Sequence, residues 1–147
     1  MESYEGAPAD GVGLRAIGRV RSPLVDRDAA PKQGDEGAPD AWIVFEPAVD
    51  TGLRDLRAGD DIVVLTWLDR ACRDVLLTRP RDDPARPELG VFSTRSPDRP
   101  NPIGLHRVTI VEIDVDGDPA RILVRNLEAI DGTPVLDLKP VLDQFER

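Results

Sequence analysis

Along the chain, hydrophobic residues fall in short runs divided by charged or turn-forming residues. Val111, Ile113 and Val115 alternate with Glu112 and Asp114, the period of a half-buried strand, so Val108–Val115 reads as one. Asp116-Gly117-Asp118 forms a turn signature, and Arg121–Leu127 runs back from it, which predicts a β-hairpin. The most apolar stretch, Ile62–Leu68 (IVVLTWL), is rich in β-branched residues. It is flanked by Asp60-Asp61 and Asp69-Arg70 and predicts a central strand. Further short strands are predicted at Leu14–Arg21, Trp42–Phe45, Val75–Thr78, Val91–Thr94 and Val135–Leu138. Only Thr51–Ala58 carries a helical signal, with Leu53 and Leu56 at helical spacing and Gly59 as its stop.

Seven or so strands with one short helix predict a mainly β fold, a small β-barrel-like single domain. The regular strand–helix alternation of a Rossmann-like, doubly wound sheet is missing. Residues 1–13 are polar and aperiodic and read as a flexible tail, leaving residues 14–147 as the domain. Asp26–Asp40 reads as a long loop of the kind that often serves binding. Arg79–Glu88 holds three prolines in ten residues, which excludes both helix and sheet interior.

Composition narrows the function. A chain of 147 residues fits one domain. Its formal net charge of −9 weighs against generic nucleic-acid binding, which depends on Lys and Arg neutralising phosphates. One cysteine, Cys72, excludes a disulfide framework and multi-cysteine metal sites, and one histidine, His106, excludes multi-histidine sites; no metal is expected. No apolar run approaches the ~20 residues needed to span a bilayer. Met1–Asp10 lacks the basic-then-apolar order of a signal peptide, so a cytoplasmic location is expected, with no membrane partner.

The densest unusual stretch is Leu89–Leu105, LGVFSTRSPDRPNPIGL. Pro97, Pro100 and Pro102 stiffen it, and Arg95 and Arg99 project from it with Arg107 just beyond. Stiffness lowers the entropy lost on holding a ligand, and planar guanidinium forks suit carboxylates and phosphates. The alternative is a rigid turn whose arginines pair with local acids. A second stretch, Asn126–Pro140 (NLEAIDGTPVLDLKP), contains the turn signature Asp131-Gly132-Thr133-Pro134, which by itself reads as structural. His106 reads as a surface or packed residue, Cys72 as a passive thiol, and Trp42 and Trp67 as core or interface residues.

Together, residues 90–105 (GVFSTRSPDRPNPIGL) and 131–140 (DGTPVLDLKP) resemble the TsaA/TrmO-like family. AIGRVRSP at Ala16–Pro23 and Pro31-Lys32-Gln33 are similar to that family's start. The resemblance covers Ile17 to Pro140. It implies an S-adenosylmethionine-dependent methyltransferase whose type member methylates a threonylcarbamoyl-adenosine beside the tRNA anticodon. It further implies a small β-barrel-like fold and a homodimer with the cofactor near the subunit interface. Carried over by position, the implied cofactor contacts are Pro31, Lys32, Gln33, Leu68, Asp69, Arg95, Leu105, Ala129, Ile130, Asp131 and Gly132. Arg99, Arg107 and Lys139 are candidate substrate contacts, and Asp69 and Asp131 are candidate bases.

Three features depart from the family pattern. Asp69 stands where the family often has histidine, and Val141 follows Lys139-Pro140 where it often has tyrosine. The type member continues into a further domain after its lysine–proline pair, whereas this sequence ends at Arg147. Three readings follow: a tRNA methyltransferase, a methyltransferase of the same fold acting on a small molecule, and a non-catalytic S-adenosylmethionine-binding module.

Overall fold

The structure, a computed structural model, describes residues 12–25, 38–80 and 83–142. Most of the expected tail lies outside these residues, as do Pro31, Lys32 and Gln33.

Among the described residues eight strands form: β1 (Gly18–Arg21), β2 (Ala41–Phe45), β3 (Asp61–Trp67), β4 (Leu77–Thr78), β5 (Leu89–Gly90), β6 (Ile103–Asp114), β7 (Arg121–Arg125) and β8 (Pro134–Pro140). Six of them close an antiparallel barrel in the order β1-β2-β7-β6-β3-β8, and β4 pairs with β5 as a separate ribbon. Alternation explains the wall. On β6, Gly104, His106, Val108 and Ile110 turn inward while Ile103, Leu105 and Arg107 face out. The interior is filled by β-branched and aliphatic side chains, among them Val20, Ile43, Ile62, Val64, Ile110, Ile122, Val124 and Val135. Register shifts on β3–β8 between Leu65 and Thr66, and on β6–β7 between Ile110 and Glu112. Such bulges bend strands, which a small closed barrel requires. Gly18 permits the tight β1–β2 approach: a Cβ there would lie 2.5 Å from the Val44 carbonyl oxygen.

Several elements differ from the sequence expectation. The helix expected at Thr51–Ala58 is a 3-10 helix at Pro47–Leu53, where Pro47 suits the first helical position, Gly52 near its end weakens continuation as an α-helix, and Leu53 docks into the core. Gly59, read as its stop, does adopt a positive φ of 96°. Val91–Thr94 is not a strand but a 3-10 turn at Val91–Ser93, wound around the Arg99 guanidinium. β6 begins at Ile103 rather than Val108, because the prolines end at Pro102 and the strand starts immediately beyond. Among the described residues no helix is long and apolar enough to cross a membrane.

Candidate functional site

Strand direction brings the candidate residues together. The ends Arg21 of β1, Arg125 of β7, Trp67 of β3, Ile103 of β6 and Pro134 of β8 all lie at one end of the barrel. The connections β1–β2, β3–β6 and β7–β8 therefore leave from that end. Among the described residues, they carry every cofactor contact expected from the sequence except Leu105, which sits on β6 close to the same end.

The β3–β6 connection is held by specific bonds. The Leu68 N–H donates to the Pro102 carbonyl (2.8 Å), and the Cys72 N–H to Asp98 Oδ1 (2.9 Å). Arg73 donates to the Pro100 carbonyl and to Asn101 Oδ1, and its guanidinium also sits over the Trp67 ring at 5.1 Å. These contacts fold the Leu68–Asp74 segment back onto the proline-rich motif. Sequence reading missed them, because Asp98 and Arg73 look like any other surface charges.

The two arginines of the motif have opposite fates. Arg99 spends its guanidinium on the carbonyls of Val91, Thr94 and Ser96 at 2.8–2.9 Å, so it shapes the loop. Arg95 is exposed and has no hydrogen bond, ion pair or ring contact among the described residues. Asp69 is likewise exposed and without a partner among them. Arg107 and Lys139 flank Val63 on the outer wall, and each meets an acid: Asp61 at 3.7 Å and Asp137 at 3.5 Å.

The turn after β7 is anchored on both sides. The Asp131 and Gly132 N–H groups donate to the carbonyls of Leu24 and Val20. Asp131 Oδ1 accepts from the Ser22 N–H, and Arg19 donates to the Gly132 carbonyl. Thr133 donates twice to the Ile130 carbonyl, through N–H and Oγ1. Gly132 has a φ of 85°, which a side chain would strain. The polar groups of Ala129, the Ile130 N–H and the Asp131 carbonyl have no partner among the described residues. Ala129 is buried, so the Ile130 N–H and the Asp131 carbonyl are the donor and acceptor this stretch offers to a ligand edge.

Behind this turn, inside the barrel, lies a polar chain. His106 Nε2 is 2.8 Å from Thr66 Oγ1, and His106 Nδ1 is 2.8 Å from Glu128 Oε1. Thr66 and His106 are buried, and every buried side-chain polar atom among the described residues is hydrogen-bonded. Gly104 stands where a Cβ would lie 2.3 Å from Thr66 Oγ1 and 2.7 Å from His106 Nε2. His106 is therefore a packed residue with specific partners, and a glycine two residues before a histidine on a strand was the available signal.

Outside the barrel, Leu65 pairs with Leu105 and Trp67 with Ile103, giving an outward apolar strip near the same end. Ile103, Leu105 and Phe92 are exposed. No group of three or more His, Cys, Asp or Glu residues that could hold a metal occurs among the described residues.

Known proteins are similar to this chain in sequence, and solved structures are similar to it in fold. A "Probable S-adenosyl-L-methionine-binding protein" from Archaeoglobus fulgidus is 45% identical over 130 residues, covering 88% of this chain and 34% of its own length. An "S-adenosyl-L-methionine-binding protein" from the same organism is 42% identical, covering 86% of each chain. The crystal structure of TrmO from Pseudomonas aeruginosa superimposes with a TM-score of 0.69 at 27% identity, over 89% of this chain and 56% of that one. This chain thus spans about a third of the first relative and little more than half of TrmO. Residues 19–147 match the family described as the tRNA-methyltransferase O N-terminal domain, and the chain belongs to that family.

Proposed function

We propose that this protein is a cytoplasmic S-adenosylmethionine-dependent methyltransferase, with residues 14–147 forming one catalytic domain. The observation that carries the reading is the exposed, unpartnered Arg95 at the same barrel end as the unpartnered backbone groups of Ile130 and Asp131. These donors fit the cofactor's chemistry. A guanidinium fork suits an amino-acid carboxylate, and paired backbone donors and acceptors suit an adenine edge. When bound, S-adenosylmethionine supplies an electrophilic methyl group on a sulfonium. The chain's own work is orientation, since in-line displacement at carbon gains most from alignment.

Leu68, Asp69, Leu105 and the 129–132 turn complete the proposed pocket, together with Pro31, Lys32 and Gln33. Leu105 faces outward, so a cofactor touching it lies against the outer wall. A second copy of the chain covers that wall in our reading, and the Leu65–Leu105 and Trp67–Ile103 pairs supply its apolar contact. Asp69 is the better-placed base of the two candidates, since one oxygen of Asp131 already accepts from Ser22. A base is optional if the nucleophile loses its proton to water.

The proposed acceptor is threonylcarbamoyl-adenosine beside the tRNA anticodon, with Arg107 and Lys139 on the approach. A second reading has a specific observation in its favour. Arg99 is consumed by the loop, and Arg107 and Lys139 are each paired with an acid. That leaves none of these three free to meet a phosphate without giving up a partner, and favours a small-molecule acceptor or a binding module.

Calorimetry with S-adenosylmethionine tests the core of the proposal. Binding is expected, weakened about tenfold or more by Arg95→Ala, the size of one charge-assisted interaction. Absence of binding sinks it. Mass spectrometry of tRNA nucleosides after incubation with isotope-labelled cofactor then tests the acceptor. No methyl gain on threonylcarbamoyl-adenosine, with binding intact, moves the reading to a small molecule.

A further inference from the structure

The Thr66–His106–Glu128 chain has no part in the reaction described above, yet it is costly to build. A polar imidazole inside a small barrel loses its hydration, and an aliphatic side chain would fill the same space without that loss. Its three members come from three elements: Thr66 from β3, His106 from β6 and Glu128 from the β7–β8 connection. Each is a near neighbour in sequence of a proposed cofactor contact. Thr66 precedes Leu68 by two residues, His106 follows Leu105, and Glu128 precedes Ala129.

We propose that His106 and Glu128 are positioning residues that hold the 129–132 turn in register with β6, while Thr66 on β3 orients the imidazole. The inference rests on the cofactor reading above. Hydrogen placement follows from the partners. The Glu128 carboxylate accepts, so Nδ1 of His106 donates to it, and in the neutral imidazole Nε2 accepts from the Thr66 hydroxyl. A nucleophilic role for Thr66 is excluded by burial: it has 0% exposure and no route to an acceptor. Glu128 keeps partial exposure, 20% of its side chain, and so lies at the edge between the barrel interior and the turn. Gly104 belongs to the device, since any side chain there would strike both Thr66 and His106.

His106 is the single histidine of the chain, which makes its imidazole spectroscopically unambiguous. In the wild-type protein the Nδ1–H resonance is expected to be protected from exchange and to shift on saturation with S-adenosylmethionine. A resonance that stays unmoved at saturation overturns the proposal. Two substitutions separate positioning from plain packing. In His106→Asn the amide nitrogen stands where Nδ1 donates, so the Glu128 bond survives. In His106→Gln the amide reaches towards Thr66, and the Glu128 bond is lost. Both variants lose packing, but only His106→Gln is expected to lose about tenfold in cofactor affinity, with His106→Asn within about threefold of wild type. Equal affinities for the two variants overturn the positioning role. A wild-type protein that binds no S-adenosylmethionine overturns the cofactor reading and this inference together, whereas wild-type binding with equal variants overturns this inference alone.

Discussion

The two ends of the barrel are built from different materials. At the end of the β6–β7 hairpin and the Pro47–Leu53 helix, the interior is wholly apolar: Phe45, Leu53, Ile62, Ile110, Ala120 and Ile122 meet there. The buried polar residues among those described, Thr66, His106 and Thr133, all belong to the opposite end. Each has a partner: Thr66 and His106 bond to one another, and Thr133 bonds to the Ile130 carbonyl. The first end needs only to exclude water, which any well-packed aliphatic set does. The second must hold three loops in fixed relation, and directional hydrogen bonds specify geometry where dispersion does not. Stability and placement are thus segregated along the barrel axis.

The largest expected effect breaks the apolar end. Ile122 is fully buried and faces Ile43 across β2 and Ile113 across β6. Ile122→Ala leaves a cavity and is expected to cost about 2–5 kcal/mol in urea unfolding. A loss below that range would show that this end collapses around the gap. A smaller effect is expected at the polar end from Gly104→Ala. The new methyl would lie 2.3 Å from Thr66 Oγ1, so the cost is about 1–3 kcal/mol of overpacking. Thr66→Ala removes that clash while stranding His106 Nε2. The double variant should therefore cost less than the sum of the singles, by more than about 0.5 kcal/mol. Strict additivity would mean that Gly104 and Thr66 do not share the space.

These contrasts also mark what could be read from the sequence. Alternating and β-branched runs located the barrel wall, because burial on one face leaves a period of two: Ile62–Leu68 against the observed Asp61–Trp67 shows how closely. Val91–Thr94 misled because its residues suit a strand, while a guanidinium eight residues on curls the backbone around itself. The start of β6 was hidden by the preceding prolines, whose local stiffness says nothing about where pairing resumes. The candidate site shows the same limit. Arg95 and Arg99 are equivalent as letters in one motif, and only tertiary geometry leaves one free and uses the other up. Gly104 hinted that His106 is packed, but nothing local named its partners, which lie 40 and 22 residues away.

The smallest effect belongs to neither end but to the outer wall between them. Arg107 is 68% exposed and meets Asp61, itself 46% exposed, at 3.7 Å, so water and salt screen the pair. Asp61 also accepts from Thr109 Oγ1 at 2.7 Å and keeps that partner when Arg107 is removed. Arg107→Ala is therefore expected to change stability by no more than about 0.5 kcal/mol. Its value lies in a second measurement. If Arg107 lies on the approach of a tRNA, it exchanges Asp61 for a phosphate. The slope of log affinity against log salt should then fall by about 1 in the variant. An unchanged slope removes Arg107 from the RNA path. With Arg99 already committed to its loop, only Lys139 of the residues proposed for the substrate would then remain, and a small acceptor entering beside the 129–132 turn would become the simpler reading.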